Sequence, residues 1–296
     1  MLIYVNGKFM EDKEAVISPY DHGYLYGLGA FETFRVYEGH PFLFNDHYER
    51  LMTALSYLHI KWDMTRDDIL YILQELLERN SLKNAYIRLN VSAGIGEVGL
   101  QTDPYLHPSI IMFVKPLPAP GDIVEKEGVI LRQPRNTPEG IFRLKSHHYL
   151  NNILGKREIG DNPAKEGIFL TKEGYVAEGI VSNLFFIKNN ILHTPSVDTG
   201  ILNGITRKFV LEMAKCLDIQ VKEGFFAVEE LLASAEVFAT NSIQEIVPIC
   251  SIRDSVFAGK KGPVTSKLLH MYRTCRPILW SRRELREGER KSGYKI

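Results

Sequence analysis

The sequence predicts a mixed α/β protein with two compact domains, and three observations support this fold class. The chain has 296 residues, of which 45% are hydrophobic and 24% charged, as expected for two globular cores of ordinary size. Short runs of β-forming residues alternate with helical patterns along the chain. A proline-rich stretch, Lys-Pro-Leu-Pro-Ala-Pro-Gly at 115–121, separates an N-terminal α/β domain at 1–114 from a C-terminal domain at 122–281.

The N-terminal domain begins with a predicted hairpin. An apolar run at 2–5 is followed by Asn6-Gly7, whose accessible positive φ angles suit a type I′ turn. Two helices are predicted further along. Asn45 is the expected N-cap of the first, and Thr65 with Asp68 forms a capping box at the start of the second. Further strands are predicted at 31–37, 85–91 and 109–114.

The C-terminal domain has the same alternating character. Its predicted strands lie at 129–133, 167–171 and 183–188, and its predicted helices lie at 151–159 and 207–217. The residues from 282 to 296 are highly charged and contain few apolar positions, so they are predicted to form a frayed, disordered tail.

Composition excludes several classes of function. Lys plus Arg and Asp plus Glu both number 36, so no excess of positive charge is present to neutralise a nucleic-acid backbone. The three cysteines are far apart in sequence, as expected of reduced thiols in a cytosol. The first residues lack a secretory pattern, and no run approaches 18 apolar residues. We expect a cytoplasmic protein that acts on a small molecule and binds neither nucleic acid nor membrane.

The neighbouring histidines His147 and His148 raise the question of a metal site. Adjacent side chains in a strand point to opposite faces, so two such histidines rarely bind one ion together. We therefore predict no metal site, and expect these imidazoles to pack or to form hydrogen bonds.

Three features in the second half follow one another in a fixed order. Glu178 precedes Asn183 by five residues, Thr194 ends a short strand, and Gly204-Ile-Thr-Arg207 leads into an amphipathic helix. The unpaired N–H groups and the dipole at a helix start favour an anion such as phosphate. Each feature alone is weak, because many helices begin after Gly-x-Thr merely to be capped and an isolated glutamate is usually solvated.

Taken together, these residues resemble the class IV aminotransferases, the fold-type IV pyridoxal-phosphate enzymes. The resemblance extends from residue 2 to about residue 270. It rests on the signature spacing of six residues, Glu178, Asn183, Phe185, Thr194, Gly204 and Arg207. Four segments also carry it: SPYDHGYLYG, FETFRVYEG, NTPEGIFRLKSHHYLNN and TNSIQEIVP. It implies two domains of mixed sheets flanked by helices, with the cofactor at the domain interface, and a homodimer.

The resemblance also implies roles for individual residues in binding pyridoxal 5′-phosphate. Lys145 aligns with the lysine that forms the Schiff base and then acts as the proton-transfer base. Glu178 aligns with the carboxylate that bonds the pyridine nitrogen and keeps the ring protonated. Arg50 aligns with a phosphate-binding arginine. The remaining cofactor contacts implied by the family are Ile205, Thr206 and Ser242 at the phosphate and Tyr149 at the ring hydroxyl.

Residues of the N-terminal domain are expected to determine the substrate specificity. Tyr26, Phe31 and Arg35 resemble pocket residues of the branched-chain aminotransferases, and Arg88 resembles their carboxylate-binding arginine. Thr33, however, stands where those aminotransferases have glycine and where the family's 4-amino-4-deoxychorismate lyases have threonine. It is therefore a candidate catalytic residue beside Lys145.

The expected function is that of the family's lyases, which form 4-aminobenzoate and pyruvate from 4-amino-4-deoxychorismate in folate biosynthesis. Lys145 or Thr33 would supply the proton to the departing enolpyruvyl group, and Arg35 and Arg88 would bind carboxylates. A branched-chain or D-amino-acid aminotransferase is the alternative within the family. A non-catalytic binding protein of the same fold is the alternative outside enzymes, and the presence of both Lys145 and Glu178 argues against it.

Overall fold

The structure is a computed structural model that describes residues 1–118 and 120–285, and these residues form two compact units. The first unit contains 1–118 together with two short segments from later in the chain, Leu144–His148 and Pro277–Ser281. The other described residues form the second unit. The predicted second domain was continuous from 122 to 281, so the return of these two segments to the first unit is a difference from the prediction.

Backbone hydrogen bonds explain why the two segments return. The main chain of Phe31 donates to the Lys145 carbonyl at 3.0 Å, and His147 donates to the Gly29 carbonyl at 3.1 Å. In the second segment, Leu279 and Trp280 accept hydrogen bonds from the backbone near residue 44. Such long-range pairing satisfies backbone groups that local patterns cannot assign.

The first unit is a six-stranded antiparallel sheet with its two long helices packed against one face. The strands are β1 Leu2–Val5, β2 Lys8–Glu11, β3 Gly29–Tyr37, β4 His40–Pro41, β5 Ala85–Ser92 and β6 Ser109–Pro116. Their order in the sheet is β2-β1-β6-β5-β3-β4. The helices are α1 His22–Tyr26, α2 Phe44–Tyr57 and α3 Arg66–Arg79.

Local signals explain several of these elements. Asn6 and Gly7 both have positive φ, so the predicted hairpin turn is confirmed. The capping box of Thr65 and Asp68 is also confirmed. The predicted N-cap at Asn45 is wrong, because the N-cap is Leu43, two residues earlier and in a left-handed conformation, and α2 begins at Phe44. The Asn45 side chain instead accepts a hydrogen bond from Arg66 Nε at 2.5 Å.

The second unit contains a nine-stranded mixed sheet. The strands are β7 Lys126–Ile130, β8 Lys165–Leu170, β9 Val176–Gly179, β10 Asn183–Lys188, β11 Ile191–Pro195, β12 Val221–Gly224, β13 Glu236–Asn241, β14 Glu245–Ile252 and β15 Ser255–Val256. Eight of them follow the order β12-β11-β10-β13-β14-β7-β8-β9, and β15 pairs with β14. The helices are α4 Leu150–Ile159, α5 Ile205–Cys216, α6 Val228–Leu232 and α7 Pro263–Cys275.

The predicted linker begins two residues too early. Lys115 and Pro116 end β6, where they lie opposite Tyr86 and Ala85. A proline is tolerated there because a strand terminus needs few ladder donors. Of the predicted charged tail, 286–296 lie outside the described residues. In 1–118 and 120–285, no helix combines the length and the apolar character that crossing a bilayer requires.

Candidate active site

The sheet of the first unit has one apolar face and one polar face. Along β5, alternate residues from Ala85 to Val91 are buried in the core with the helices, and the residues between them are only half-buried. Because side chains alternate along a strand, Arg88 shares the other face with its cross-strand partner Thr33 and with Phe31. Three residues that were predicted separately are therefore neighbours on one surface.

Lys145 is held against this face by the main chain. The pairing of its segment with β3 includes a bridge between Ala30 and Ser146, so the flanking side chains of Lys145 and His147 point to the opposite face. This is the face that carries Phe31. The Lys145 Nζ atom lies 4.5 Å from the centroid of the Phe31 ring. Backbone pairing, and not a helix, fixes the position of this amine.

The Phe31 ring contacts two cations. Arg88 Cζ lies 3.7 Å from the ring centroid, and Lys145 Nζ is the second charged group. The ring itself is 1% exposed. Cations over a buried aromatic ring gain electrostatic attraction. Arg88 Nε also donates to Asn90 Oδ1 at 3.0 Å. This side of the sheet can attract the carboxylate of a substrate next to a primary amine.

Arg50 lies in an ion cluster with Glu32, whose side chain points to the helix-covered face of β3. The Nε and Nη2 atoms of Arg50 each lie 2.7 Å from a Glu32 oxygen, and His47 Nδ1 lies 2.6 Å from Glu32 Oε2. Burial alone would raise the pKa of Glu32, but Arg50 and His47 outweigh burial and lower it to about 2. Burial lowers the pKa of His47. The sequence did not indicate that Glu32 fixes two guanidinium nitrogens of Arg50.

The structure places Arg35 and Tyr26 in different surroundings from Phe31. Arg35 is buried, donates from Nη2 to the carbonyls of Leu117 and Pro118, and lies over the Tyr37 ring. The Tyr26 hydroxyl accepts a hydrogen bond from the Gly99 N–H at 2.7 Å. Tyr26 also lines a cavity of about 330 Å³, together with residues that include Tyr57, Tyr105 and His148.

In the second unit, Glu178 is a buried carboxylate with several donors. It accepts from Arg135 Nε at 2.7 Å, from the Leu202 N–H at 3.0 Å and from Asn183 Nδ2 at 3.4 Å. Arg143 Nε lies 3.8 Å away. Burial raises the pKa of the Glu178 carboxyl, and Arg135 and Arg143 act against that shift. A further cationic N–H group beside Glu178 would oppose the effect of burial in the same way as the two arginines.

Sequence reasoning missed Arg135, which contacts Glu178 most closely. Its Nη1 atom donates to Asn151 Oδ1 at 2.7 Å and to Asn152 Oδ1 at 3.3 Å, and its guanidinium lies over the Phe169 ring. These asparagines end the segment NTPEGIFRLKSHHYLNN, and Arg135 immediately precedes it. The arginine and the asparagine pair therefore frame the stretch that contains Lys145. Tyr149, in the same stretch, is the N-cap residue of α4 and is half-buried.

The start of α5 forms the second part of this site. Gly204 caps the helix without a side-chain hydrogen bond, and a Cβ there would overlap Oδ1 of Asn183. The first N–H groups of a helix, here those of Ile205 and Thr206, lack intrahelical acceptors. The Thr206 hydroxyl lies 3.3 Å from the Ser242 hydroxyl. Backbone donors, two hydroxyl groups and the helix dipole together suit a phosphate.

The six signature residues mainly hold these parts together. Asn183 donates to both Glu178 and the Leu202 carbonyl, so it joins the carboxylate to the turn before α5. The Thr194 hydroxyl donates to the Leu184 carbonyl at 2.8 Å. Arg207 donates from Nη2 to the Pro195 carbonyl at 2.9 Å. The signature is therefore mostly structural, and only Glu178 and the start of α5 present groups that suit a ligand.

The second unit fits a pyridoxal phosphate in the chemistry of its donor set. The N–H groups at the start of α5 match the phosphate, and the buried Glu178 carboxylate matches a protonated ring nitrogen. Thr240, two residues before Ser242, has a buried hydroxyl without a hydrogen-bond partner among the described residues. A bound polar group would satisfy such an atom.

Comparison with known proteins agrees with this geometry. The family model for amino-transferase class IV matches residues 29–252. The chain belongs to the class IV aminotransferases. This family consists of pyridoxal-phosphate-dependent enzymes and includes lyases and aminotransferases.

Individual relatives cover almost the whole chain. The aminodeoxychorismate lyase of Bacillus subtilis is 50% identical, with 92% of this chain and 94% of that protein aligned. The D-alanine aminotransferase of Staphylococcus haemolyticus is 32% identical, over 90% of this chain and 94% of its own. A solved branched-chain aminotransferase of the archaeon Thermoproteus uzoniensis, with norvaline, superposes with a TM-score of 0.83 at 28% identity. That match covers 92% of this chain and 93% of the other.

Proposed function

We propose that this protein is a pyridoxal-phosphate-dependent lyase that converts 4-amino-4-deoxychorismate to 4-aminobenzoate and pyruvate for folate biosynthesis. The observation that carries the proposal is the 50% identity with the Bacillus subtilis lyase over 92% of the chain. Thr33 supports the choice of a lyase over an aminotransferase, because its hydroxyl shares a sheet face with Lys145 and Arg88.

The residues that the family resemblance implies would hold the cofactor. Lys145 would bind it covalently, and Glu178 would accept a hydrogen bond from its protonated ring nitrogen. The Ile205 and Thr206 backbone, with the Thr206 and Ser242 hydroxyls, would bind the phosphate. The Glu32 carboxylate orients Arg50 for the same anion, and Tyr149 would contact the ring hydroxyl. When bound, pyridoxal phosphate accepts the electrons released at the substrate carbon that carries the amine.

The remaining roles belong to residues on the polar face of the first sheet. Arg88 would bind a substrate carboxylate beside Phe31, in reach of Lys145. Arg35 is the second candidate, although one of its nitrogens already bonds two backbone carbonyls. Phe31 and Tyr26 would line the pocket.

Lys145 would remove the proton from the carbon that bears the amine. The bond between the ring and the enolpyruvyl oxygen then breaks, and Lys145 or Thr33 would return a proton to the departing group. Pyruvate leaves, and the product ring becomes aromatic.

A homodimer in the cytoplasm is part of the proposal. Three of the exposed apolar side chains lie in one loop of the first unit, where Ile95 is 67%, Val98 70% and Leu100 93% exposed. A cluster of this kind is typical of an interaction surface. Cys250 and Cys275 are free thiols, which suits a reducing compartment.

The test is product formation from 4-amino-4-deoxychorismate in the absence of any amino acid. We expect the wild type to release pyruvate and 4-aminobenzoate in equal amounts. Lys145→Ala should release neither, because it lacks both the cofactor-binding amine and the base. Lys156→Ala, which removes an exposed lysine of α4, is the matched control and should retain activity.

Two results would contradict the proposal. One is conversion of D-alanine or branched-chain amino acids to keto acids without product from aminodeoxychorismate, which would favour the aminotransferase alternative. The other is a colourless protein that binds no pyridoxal phosphate, which would favour a non-catalytic binding protein.

A further inference from the structure

His147 is half-buried beside the proposed substrate pocket and has no assigned role. It lies two residues after Lys145, and its backbone N–H donates to the Gly29 carbonyl. A Cβ at residue 29 would overlap the imidazole, so glycine leaves the space that this ring fills. The ring stacks on Phe31, with centroids 6.2 Å apart and an interplanar angle of 27°. Phe31 therefore contacts His147 in addition to Lys145 and Arg88.

The Nε2 atom of this imidazole is buried and has no hydrogen-bond partner among the described residues. Leaving a buried polar atom unpaired is unfavourable, because its desolvation is not compensated. Buried polar atoms without partners are rare, and an unfilled ligand site is one physical explanation. Nothing in the packing of Gly29 or Phe31 against the ring requires a histidine at this position, since a phenylalanine ring would stack equally well.

The surroundings keep the imidazole neutral. Burial lowers the pKa of His147 to about 4, and the nearby Arg88 adds to this shift, whereas Asp21 opposes it. His148 also lowers the pKa, and a hydrogen bond with the Ala30 backbone raises it. A neutral imidazole carries one N–H, and donating that N–H to the Ala30 carbonyl leaves Nε2 as an acceptor.

This acceptor complements the other groups on the same face. Lys145 and Arg88 carry only donors when charged, Asn90 Oδ1 already accepts from Arg88, and the Thr33 hydroxyl is the candidate proton donor to the departing group. Donors alone can bind the carboxylate of a substrate but cannot accept from its amine. His147 Nε2 adds the acceptor that a molecule with both a carboxylate and an N–H group requires.

We propose that His147 is a substrate-binding residue whose Nε2 accepts a hydrogen bond from the amine of a ring substrate that also carries a carboxylate. This inference rests on the proposed lyase function and deepens it, because it names the group that distinguishes an amino-substituted ring from the same ring without the amine. His147 and Lys145 both contact Phe31, so the accepted amine lies on the face where Lys145 reacts.

The test compares two ligands that differ only in the amine. 4-Aminobenzoate and benzoate share the ring and the carboxylate, and their dissociation constants for the holoenzyme are measured by calorimetry. The wild type should bind 4-aminobenzoate more tightly. His147→Phe keeps an aromatic ring on Phe31 but removes the acceptor, so 4-aminobenzoate should bind roughly fivefold to tenfold more weakly. The affinity for benzoate should change by less than about twofold, since benzoate has no amine to bond.

His147→Gln provides the rescue, because its side-chain oxygen can accept in place of Nε2. This variant should recover most of the preference for 4-aminobenzoate, and it keeps the test decisive if His147→Phe folds poorly. In turnover assays, His147→Phe should raise KM for aminodeoxychorismate more than it lowers kcat. If His147 had a purely structural role, its replacement would weaken the binding of both ligands equally.

The inference is overturned if folded His147→Phe retains the wild-type ratio of the two dissociation constants, or if the wild type itself does not prefer 4-aminobenzoate. Failure of the proposed function would look different. In that case the wild type would release no pyruvate from aminodeoxychorismate, whatever the two ligands do.

Discussion

The two units each contain a buried glutamate that bonds an arginine, and the two carboxylates differ in their chemistry. Glu32 in the first unit is 2% exposed and Glu178 in the second is 3% exposed. Each has an arginine nitrogen 2.7 Å from one oxygen. Burial acts on both in the same direction, because it disfavours the charged form. The donors around each carboxylate therefore determine why the two pKa values shift in opposite directions.

Both oxygens of Glu32 are bonded by one guanidinium, and His47 adds a third contact at 2.6 Å. Its pKa falls to about 2. Glu178 receives only one close guanidinium nitrogen, a backbone N–H and a long amide contact, and its pKa is raised. We infer that Glu32 is held as a carboxylate by its own unit and orients Arg50, whereas Glu178 retains a net cost of burial that a cationic group of a ligand would reduce.

Replacement of Glu178 gives the largest expected effect on catalysis. Glu178→Gln keeps the shape of the side chain but removes the charge that would hold the cofactor ring protonated. We expect turnover of aminodeoxychorismate to fall roughly 1,000-fold, which corresponds to about 4 kcal/mol of activation free energy. Steady-state pyruvate release measures this loss.

The matched control is Glu166→Gln in the same unit. Glu166 is also buried and bonds Lys126 and Ser182, but it has no proposed contact with the cofactor. Its replacement should lower stability and leave turnover per folded molecule nearly unchanged. Equal losses of turnover in the two variants would show that Glu178 acts only through folding.

Replacement of Glu32 should act mainly on stability. Glu32→Gln leaves Arg50 and His47 without their buried anion, and we expect the free energy of unfolding at pH 7 to fall by about 3 kcal/mol. Urea denaturation measures it, with the exposed Glu49→Gln on α2 as a control that should change it little.

The pH dependence gives the sign of this effect. The folded-state pKa of Glu32 lies below its ordinary value of 4.5, so its stabilising contribution is present above pH 4.5 and disappears as the pH falls toward about 2. The difference between wild type and Glu32→Gln should therefore shrink over that interval. A difference that stays constant with pH would exclude the ion cluster as its cause.

Sequence reasoning predicted the features that depend on local order. The run from Glu178 to Arg207 is local, because Asn183 and the Leu202 N–H connect Glu178 to the turn before α5 within 24 residues of chain. The hairpin at Asn6-Gly7 and the capping box at Thr65 depend on conformational preferences of neighbouring residues. Such signals can be read without knowledge of the fold.

The features that sequence reasoning missed depend on pairs distant in the chain. Arg135 meets Glu178 across 43 residues, and Glu32 meets Arg50 across a strand and a helix. The pairing of the Lys145 segment with β3 connects residues more than a hundred positions apart. Hydrophobic periodicity contains no information about which distant strand a short segment will join, so a continuous second domain was the simpler prediction.

The smallest expected effect concerns the phosphate part of the second unit, and it separates cofactor binding from the chemistry at Glu178. Thr206→Val removes one hydroxyl at the start of α5 but retains the backbone donors. The dissociation constant of pyridoxal phosphate should rise about fivefold to tenfold, because one hydrogen bond contributes roughly 1 kcal/mol. Titration of the apoenzyme with cofactor, followed by absorbance, measures it.

Thr194→Val is the control for Thr206→Val, since Thr194 is also a buried threonine of the second unit and its hydroxyl bonds the Leu184 carbonyl. It should lower stability by about 1 kcal/mol and leave cofactor affinity within about twofold of the wild type. If Thr206→Val binds the cofactor as tightly as Thr194→Val does, the Thr206 hydroxyl is not a phosphate ligand. The helix dipole and the main-chain N–H groups of α5 would then account for the anion site alone.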